Sequence, residues 1–163
     1  MDQTIEGVVQ RLVDLGHRYP PDVAPLFEGP AAPGELTDLE KALGEAIPAA
    51  FLRLLQTTRA IVAMDIHNGC WIGGPVQLAR SIRRGDFPGS LRAEGRDERA
   101  LPIATDGGGN AFLLVIRLGS VWRWDRGTGA VAYVSPDLTE FLARVAADWQ
   151  HELEGDATWS YLV

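Results

Sequence analysis

Only one cysteine, Cys70, occurs in the 163 residues. No disulfide can close within the chain, and a disulfide-built scaffold is excluded. Lysine is almost missing: Lys41 stands alone among 15 basic residues, the others being arginines, a bias we read as genome composition. Positive charge is in deficit overall, 15 basic against 22 acidic residues for a net charge of −7. A binder of nucleic acid needs the opposite balance, to meet phosphates. No apolar run approaches the ~18 residues of a membrane span. The opening Met1-Asp2-Gln3-Thr4-Ile5-Glu6 lacks the basic and apolar regions of a signal peptide. With a lone thiol suited to a reducing compartment, the expectation is a cytoplasmic protein that engages neither nucleic acid nor membrane. Histidines are few as well. His17, His67 and His151 have no cysteine, histidine or carboxylate at metal-ligand spacing, so neither a metal nor a cofactor is expected.

What is present is ample apolar material, 46% of residues, in patterns that alternate between two periods. Ile5, Val8, Val9, Leu12 and Val13 mark one face of an amphipathic helix, with Gly16 as its stop. The prolines and glycines from Tyr19 to Gly34 then predict an extended connector. This divides the chain into an N-terminal helical appendage (1–17), a Pro/Gly-rich linker (18–34) and a main domain (35–163). Leu36, Leu39 and Leu43 predict a second helix ending at Gly44, and Pro48 opens a third in its first turn. Ala60–Ile66 and Cys70–Ile72 read as strands joined by a two-residue Asn68-Gly69 turn. A short helix is expected over Val76–Ile82, and a charged surface loop from Arg83 to Arg99. Three strands come next, around Leu101–Ala104, Phe112–Arg117 and Val121–Asp125, with a further one at Ala130–Val134. A closing helix is marked by Ser135 as cap, Pro136 at its first position, and an apolar stripe from Leu138 to Trp149. Helices, then strands, then a helix argue for an α+β fold with a mostly antiparallel sheet.

Chemistry is harder to place. Cys70 with His67 as base would lie across a tight hairpin without an orienting group, so a small buried side chain is the better reading. Asp106-Gly107-Gly108-Gly109-Asn110 could offer backbone N–H groups to a phosphate. However, a strand rather than a helix comes after it and no lysine is near, so it reads as a turn between strands. Trp122 and Trp124 share one face of their strand, either as core or as anchors for a protein partner. No catalytic residue is assigned, and an enzyme is not expected.

Three stretches carry a family resemblance. Leu39-Glu40, Leu43-Gly44, Ile47-Pro48 and Phe51-Leu52-Arg53-Leu54-Leu55 resemble the opening motif of the SUKH superfamily (Smi/Knr type). Leu101-Pro102-Ile103-Ala104-Thr105-Asp106-Gly107-Gly108-Gly109-Asn110 resembles its central signature. Val121-Trp122-Arg123-Trp124-Asp125 resembles the family's next strand, and the helix from Phe141 resembles its closing helix. The resemblance spans Leu36 to Trp149. The N-terminal helix is extra, and Gln56-Thr57-Thr58-Arg59 stands where the family often has Asn-Gly.

The resemblance implies an α+β domain whose mostly antiparallel sheet is flanked by helices, and a non-catalytic, protein-binding role. Bacterial members are largely immunity proteins that neutralise cognate toxins, often nucleases or deaminases; fungal members are regulatory scaffolds. The expected partner is therefore a basic toxin domain, with an endogenous protein as the alternative; the oligomeric state is left open. Glu40, Gly44, Pro48, Asp106, Gly107, Gly108, Gly109, Asn110, Trp122 and Trp124 carry the structural motif. Asp65, Trp71, Asp125, Glu152, Glu154 and Asp156 are the candidates for partner contact, being aromatic or acidic. The acidity lies on both sides of the Arg83–Arg99 stretch, which is itself slightly basic. It suits a basic partner, and also suits solubility alone.

Overall fold

The structure is a computed structural model and describes residues 3–67 and 69–156. The first helix, α1 (Ile5–Gly16), begins where the Thr4 hydroxyl accepts the Gly7 N–H at 3.1 Å. Its buried stripe of Ile5, Val8, Val9, Leu12 and Leu15 joins the principal core. A two-residue strand, β1 (Leu26–Phe27), follows, then α2 (Pro33–Leu43) and α3 (Ala49–Thr57). Gly44 ends α2 with φ +78°, the left-handed cap that glycine adopts without steric cost.

Strands β2 (Ala60–Ala63) and β3 (Cys70–Gly73) lead to α4 (Pro75–Arg84). Then come β4 (Ser90–Ala93), β5 (Arg96–Asp106), β6 (Ala111–Val115), β7 (Val121–Trp124), β8 (Val131–Ser135) and the closing α5 (Leu138–Leu153). All strand pairs are antiparallel, in the order β1-β2-β3-β5-β6-β7-β8, while β4 pairs the first part of β5. The fold is thus α+β, as the element order predicts.

The sheet has two unlike faces because strand side chains alternate. Phe112 and Leu114 of β6 point to the face that α1, α3 and α5 cover, where they meet Leu12, Phe51, Leu55, Phe141 and Leu142. Ala111, Leu113 and Val115 point the other way, into a smaller cluster with Leu91, Ala93 and Ala100.

Four local expectations change. First, the Arg83–Arg99 stretch is not a loop. It holds the end of α4 and a hairpin of β4 with β5, whose turn residues Glu94 (φ +50°) and Gly95 (φ +76°) both take left-handed backbone. The alternation of Leu91 and Ala93 supplies the buried side, and charge density hides it in the sequence. Second, β2 and β3 are joined by six residues, Met64 to Gly69, rather than by an Asn68-Gly69 turn. Left-handed backbone falls at His67 (φ +49°) and Gly69 (φ +81°), while Asn68 lies outside the described residues. Third, Asp137 rather than Ser135 caps α5: its carboxylate accepts the Glu140 N–H at 2.8 Å, and the Ser135 hydroxyl instead donates to the Asp137 carbonyl. Pro136 therefore precedes the helix. Likewise Pro48 stands at the cap of α3, one residue before the helix proper. Fourth, the connector carries β1, a pairing limited to two residues by the prolines on either side.

Candidate interaction surface

The glycine-rich turn between β5 and β6 is closed upon itself. One Asp106 carboxylate oxygen, Oδ1, accepts the backbone N–H of Gly108 at 2.9 Å and of Asn110 at 3.0 Å. Oδ2 accepts the Asn110 side-chain amide at 2.9 Å, and the Arg123 guanidinium stands 3.6 Å away. The Asn110 side-chain oxygen in turn accepts the Arg126 N–H at 3.0 Å, tying this turn to the one between β7 and β8. Gly109 takes φ +82°, and a Cβ there would meet the Arg126 side chain at 3.2 Å. The N–H groups of Gly108, Gly109 and Asn110, which could cradle a phosphate, are already spent on Asp106.

Cys70 points to the helix-covered side of β3. Burial pushes its thiol up to about 12, and the charges of Asp106 and Asp148 add to the effect. It stays protonated, which suits the buried-side-chain reading and not a nucleophile. His67 is engaged elsewhere, its Nε2 lying 3.0 Å from the Asp148 carbonyl and 3.9 Å from Glu152. Among the described residues no group of three His, Cys, Asp or Glu side chains could hold a metal ion. Nor is any described helix long and apolar enough to cross a membrane.

Of the six candidate contact residues, five carboxylates come to one end of the molecule. The antiparallel ladder puts the β2–β3 loop, the β5–β6 turn and the β7–β8 turn at the same end of the sheet. Asp65 is exposed in the first of these. Asp125 opens the last, where it accepts the Thr128 N–H at 2.8 Å and hydroxyl at 3.0 Å. Helix α5 runs back toward the same end, as the His67–Asp148 contact shows, bringing Glu152, Glu154 and Asp156. These last three are not equivalent. Glu152 is half-buried and accepts the Tyr19 hydroxyl at 3.2 Å. Glu154 is exposed and accepts from Gln150 at 3.0 Å. Asp156 is exposed, 3.9 Å from His151. The sixth candidate, Trp71, sits in β3 on the face away from the helices.

That face carries what residue-by-residue reading does not assemble. The registers line up one row across the whole sheet: Leu26, Val62, Trp71, Thr105, Ala111, Trp124 and Val131. The neighbouring row runs Leu113, Trp122, Tyr133. The β4–β5 hairpin covers the middle, and Phe87 lies edge-on to Trp124 at 6.0 Å. The margins stay open. Trp122, Trp124 and Trp71 are half-buried, Tyr133 is 55% exposed and Leu26 67% exposed. Trp122 meets Tyr133 edge-on at 5.5 Å, and its indole donates to Ser120 at 3.1 Å. The two tryptophans therefore combine both readings, packing on a small core while presenting ring edge to solvent. Sequence reasoning misses Tyr133 and Phe87; alternation of Val131 with Tyr133 is the signal that finds the first.

Three carboxyls are held by hydrogen bonds, two of them from arginines. Hydrogen bonds from Arg117 hold the Glu98 carboxyl below its ordinary value, those from Arg83 do so for Asp38, and those from Thr128 for Asp125. A carboxyl whose folded value is depressed contributes stability that is present above its unfolded value, here 3.8 for Asp and 4.5 for Glu. That contribution is lost as pH falls through the folded value. Melting temperature is therefore expected to hold from neutral pH down to about 4.5 and to decline below it, a course that thermal melts across that range would check.

The described residues thus combine a helix-backed sheet, one margin of exposed aromatics, a carboxylate-rich end and a self-satisfied glycine turn. Residues 30–144 match the sequence model of the SMI1 / KNR4 family (SUKH-1), and the chain belongs to that family. The family is known for immunity-like domains and is generally non-catalytic. No curated protein matches the chain significantly.

Proposed function

We propose that this protein is an immunity protein of the cytoplasm that binds and neutralises a basic toxin domain of the nuclease or deaminase type. One observation carries the reading. Asp65, Asp125, Glu152, Glu154 and Asp156 come to one end of the molecule, and Asp125 adjoins the exposed aromatic margin of Trp124, Trp122 and Tyr133 on the other face of the sheet. Aromatic anchors and a carboxylate-rich end supply the two parts of a tight inhibitor: desolvated contact and electrostatic steering. A toxin that grips phosphate presents the complementary charge.

The test is co-expression with the toxin encoded beside this gene. Protection of the cells is expected with the intact protein. Reversing two of the exposed carboxylates, Asp65→Arg and Glu154→Arg, should slow association about tenfold at low salt and much less at high salt. Cells no better protected with the protein than without it would refute the reading for that toxin. Isolation of a housekeeping partner instead would replace it with the scaffold role.

A further inference from the structure

Strand β8 is the last strand of the sheet, and its outer edge has no strand beside it among the described residues. Edge strands are normally blunted by a charge, a proline or a bulge that turns them away. From Ala130 to Ser135 the sequence is Ala-Val-Ala-Tyr-Val-Ser, with neither charge nor proline, and the one register irregularity falls at Val134, beyond the regular Val131–Tyr133 segment. The direction of its free groups follows from the ladder. Asp125 N–H donates to the Ala130 carbonyl at 2.8 Å, and Arg123 is the register partner of Ala132. Ala130 and Ala132 therefore spend their backbone groups on β7, and those of Val131 and Tyr133 point outward.

We infer that this edge pairs with the same edge of a second copy, making a two-fold dimer with one continuous sheet. The register is set by the free groups. Pairing Val131 with Tyr133 of the second copy, and the reverse, engages all four outward N–H and C=O groups. It places Ala132 opposite Ala132 of the second copy in the narrow pair, where Cα atoms approach to ~4.5 Å and small side chains fit best. Both alanines are exposed in one copy alone.

Two further features agree with this register. On the open face it joins Trp122 and Tyr133 of one copy to Val131 and Trp124 of the other, so that the exposed aromatic margin becomes the middle of a shared strip. At the flanks it brings the β7–β8 turn of each copy against the start of α5 of the other. Arg126, whose guanidinium has no carboxylate partner among the described residues, then faces the Asp137 side chain, once on each side of the two-fold axis. An isologous interface must be self-complementary in this way. The inference does not depend on the toxin reading, since it concerns the chain alone.

Light scattering and sedimentation over a range of concentration test it. The expected mass is twice the 17.7 kDa of the chain. Ala132→Lys sets two like charges opposite each other and should weaken dimerisation about tenfold or more. Ala132→Glu should do the same, and mixing the two variants should restore the dimer. Circular dichroism of each variant verifies that the monomer is folded. Amide exchange should show Val131 and Tyr133 protected more at high concentration than at low. A chain that stays monomeric throughout, a dimer indifferent to both Ala132 variants, or a mixture that fails to restore it would overturn the inference. Protection of those two amides only on addition of another protein would overturn it too, and would assign the edge to that partner.

Discussion

Replacing Asp106 with alanine is expected to cost roughly 3–4 kcal/mol of stability, because the carboxylate satisfies three donors and hydrogen bonds to a charged group contribute about 1.5–3 kcal/mol each before solvent exposure discounts them. The donors are the Gly108 N–H, the Asn110 N–H and the Asn110 amide, with Arg123 beyond. Among the described residues no other protein group is shown accepting from them. The turn would open, and the β7–β8 turn, tied through the Arg126 N–H to Asn110, would loosen with it. Asp106→Asn keeps the shape but points an amide at another amide and at a guanidinium, so a smaller loss is expected. Asn110→Ala removes one of the three donors and the link to Arg126. Chemical denaturation of the three variants should rank Asp106→Ala as the least stable. Should Asp106→Ala instead fold with unchanged stability and lose a measurable catalytic turnover, the turn would be an active site, and the non-catalytic reading would fall.

What the sequence makes legible depends on how far apart the cooperating residues lie. Stripes within one element are readable: Ile5 to Leu12 for α1, Leu138 to Trp149 for α5. Gly44 is readable as a cap because one residue decides it. The β4–β5 hairpin is not, because its buried positions are Leu91, Ala93 and Ala100, small residues scattered among arginines and acids, and the carboxylate of Glu98 is buried only with Arg117 from another turn. The α5 cap is displaced for a related reason. Ser135 and Asp137 both suit the cap position, and β8, ending at Ser135, takes the serine for the sheet. The surface is least legible of all. Trp71, Trp124 and Leu26 fall in one row only through the successive strand registers, and Asp65 and Glu154 share an end only because α5 runs back along the sheet. Local pattern names such residues singly; topology decides which of them meet.

The exit from β3 is where a single added methyl group should do comparable damage. Gly73 and Gly74 both take φ +77°, which turns the chain out of the sheet and into α4 at Pro75. At Gly73 an added Cβ would stand 2.5 Å from the backbone oxygen of Arg59 and 3.4 Å from Leu55. That oxygen cannot simply move. It accepts the Gly74 N–H at 2.7 Å, and the Arg59 N–H donates to Gly29 at 2.9 Å, so the backbone is held from both sides. Gly73→Ala therefore combines left-handed strain of about 1–2 kcal/mol with a clash against fixed backbone, for an expected total of roughly 3–5 kcal/mol. In a chain of this length that is a fall in melting temperature on the order of 10–15 °C. Gly34→Ala is the control. It lies in α2 with open space around it, and its expected effect is a gain of up to about 1 kcal/mol. Opposite signs for the same chemical change would show that the cost at Gly73 belongs to its backbone and its neighbour. Because β3 carries Trp71, a shift there would also disturb the aromatic row. Partner binding should then weaken in Gly73→Ala even at temperatures where the variant remains folded, and in Gly34→Ala it should not.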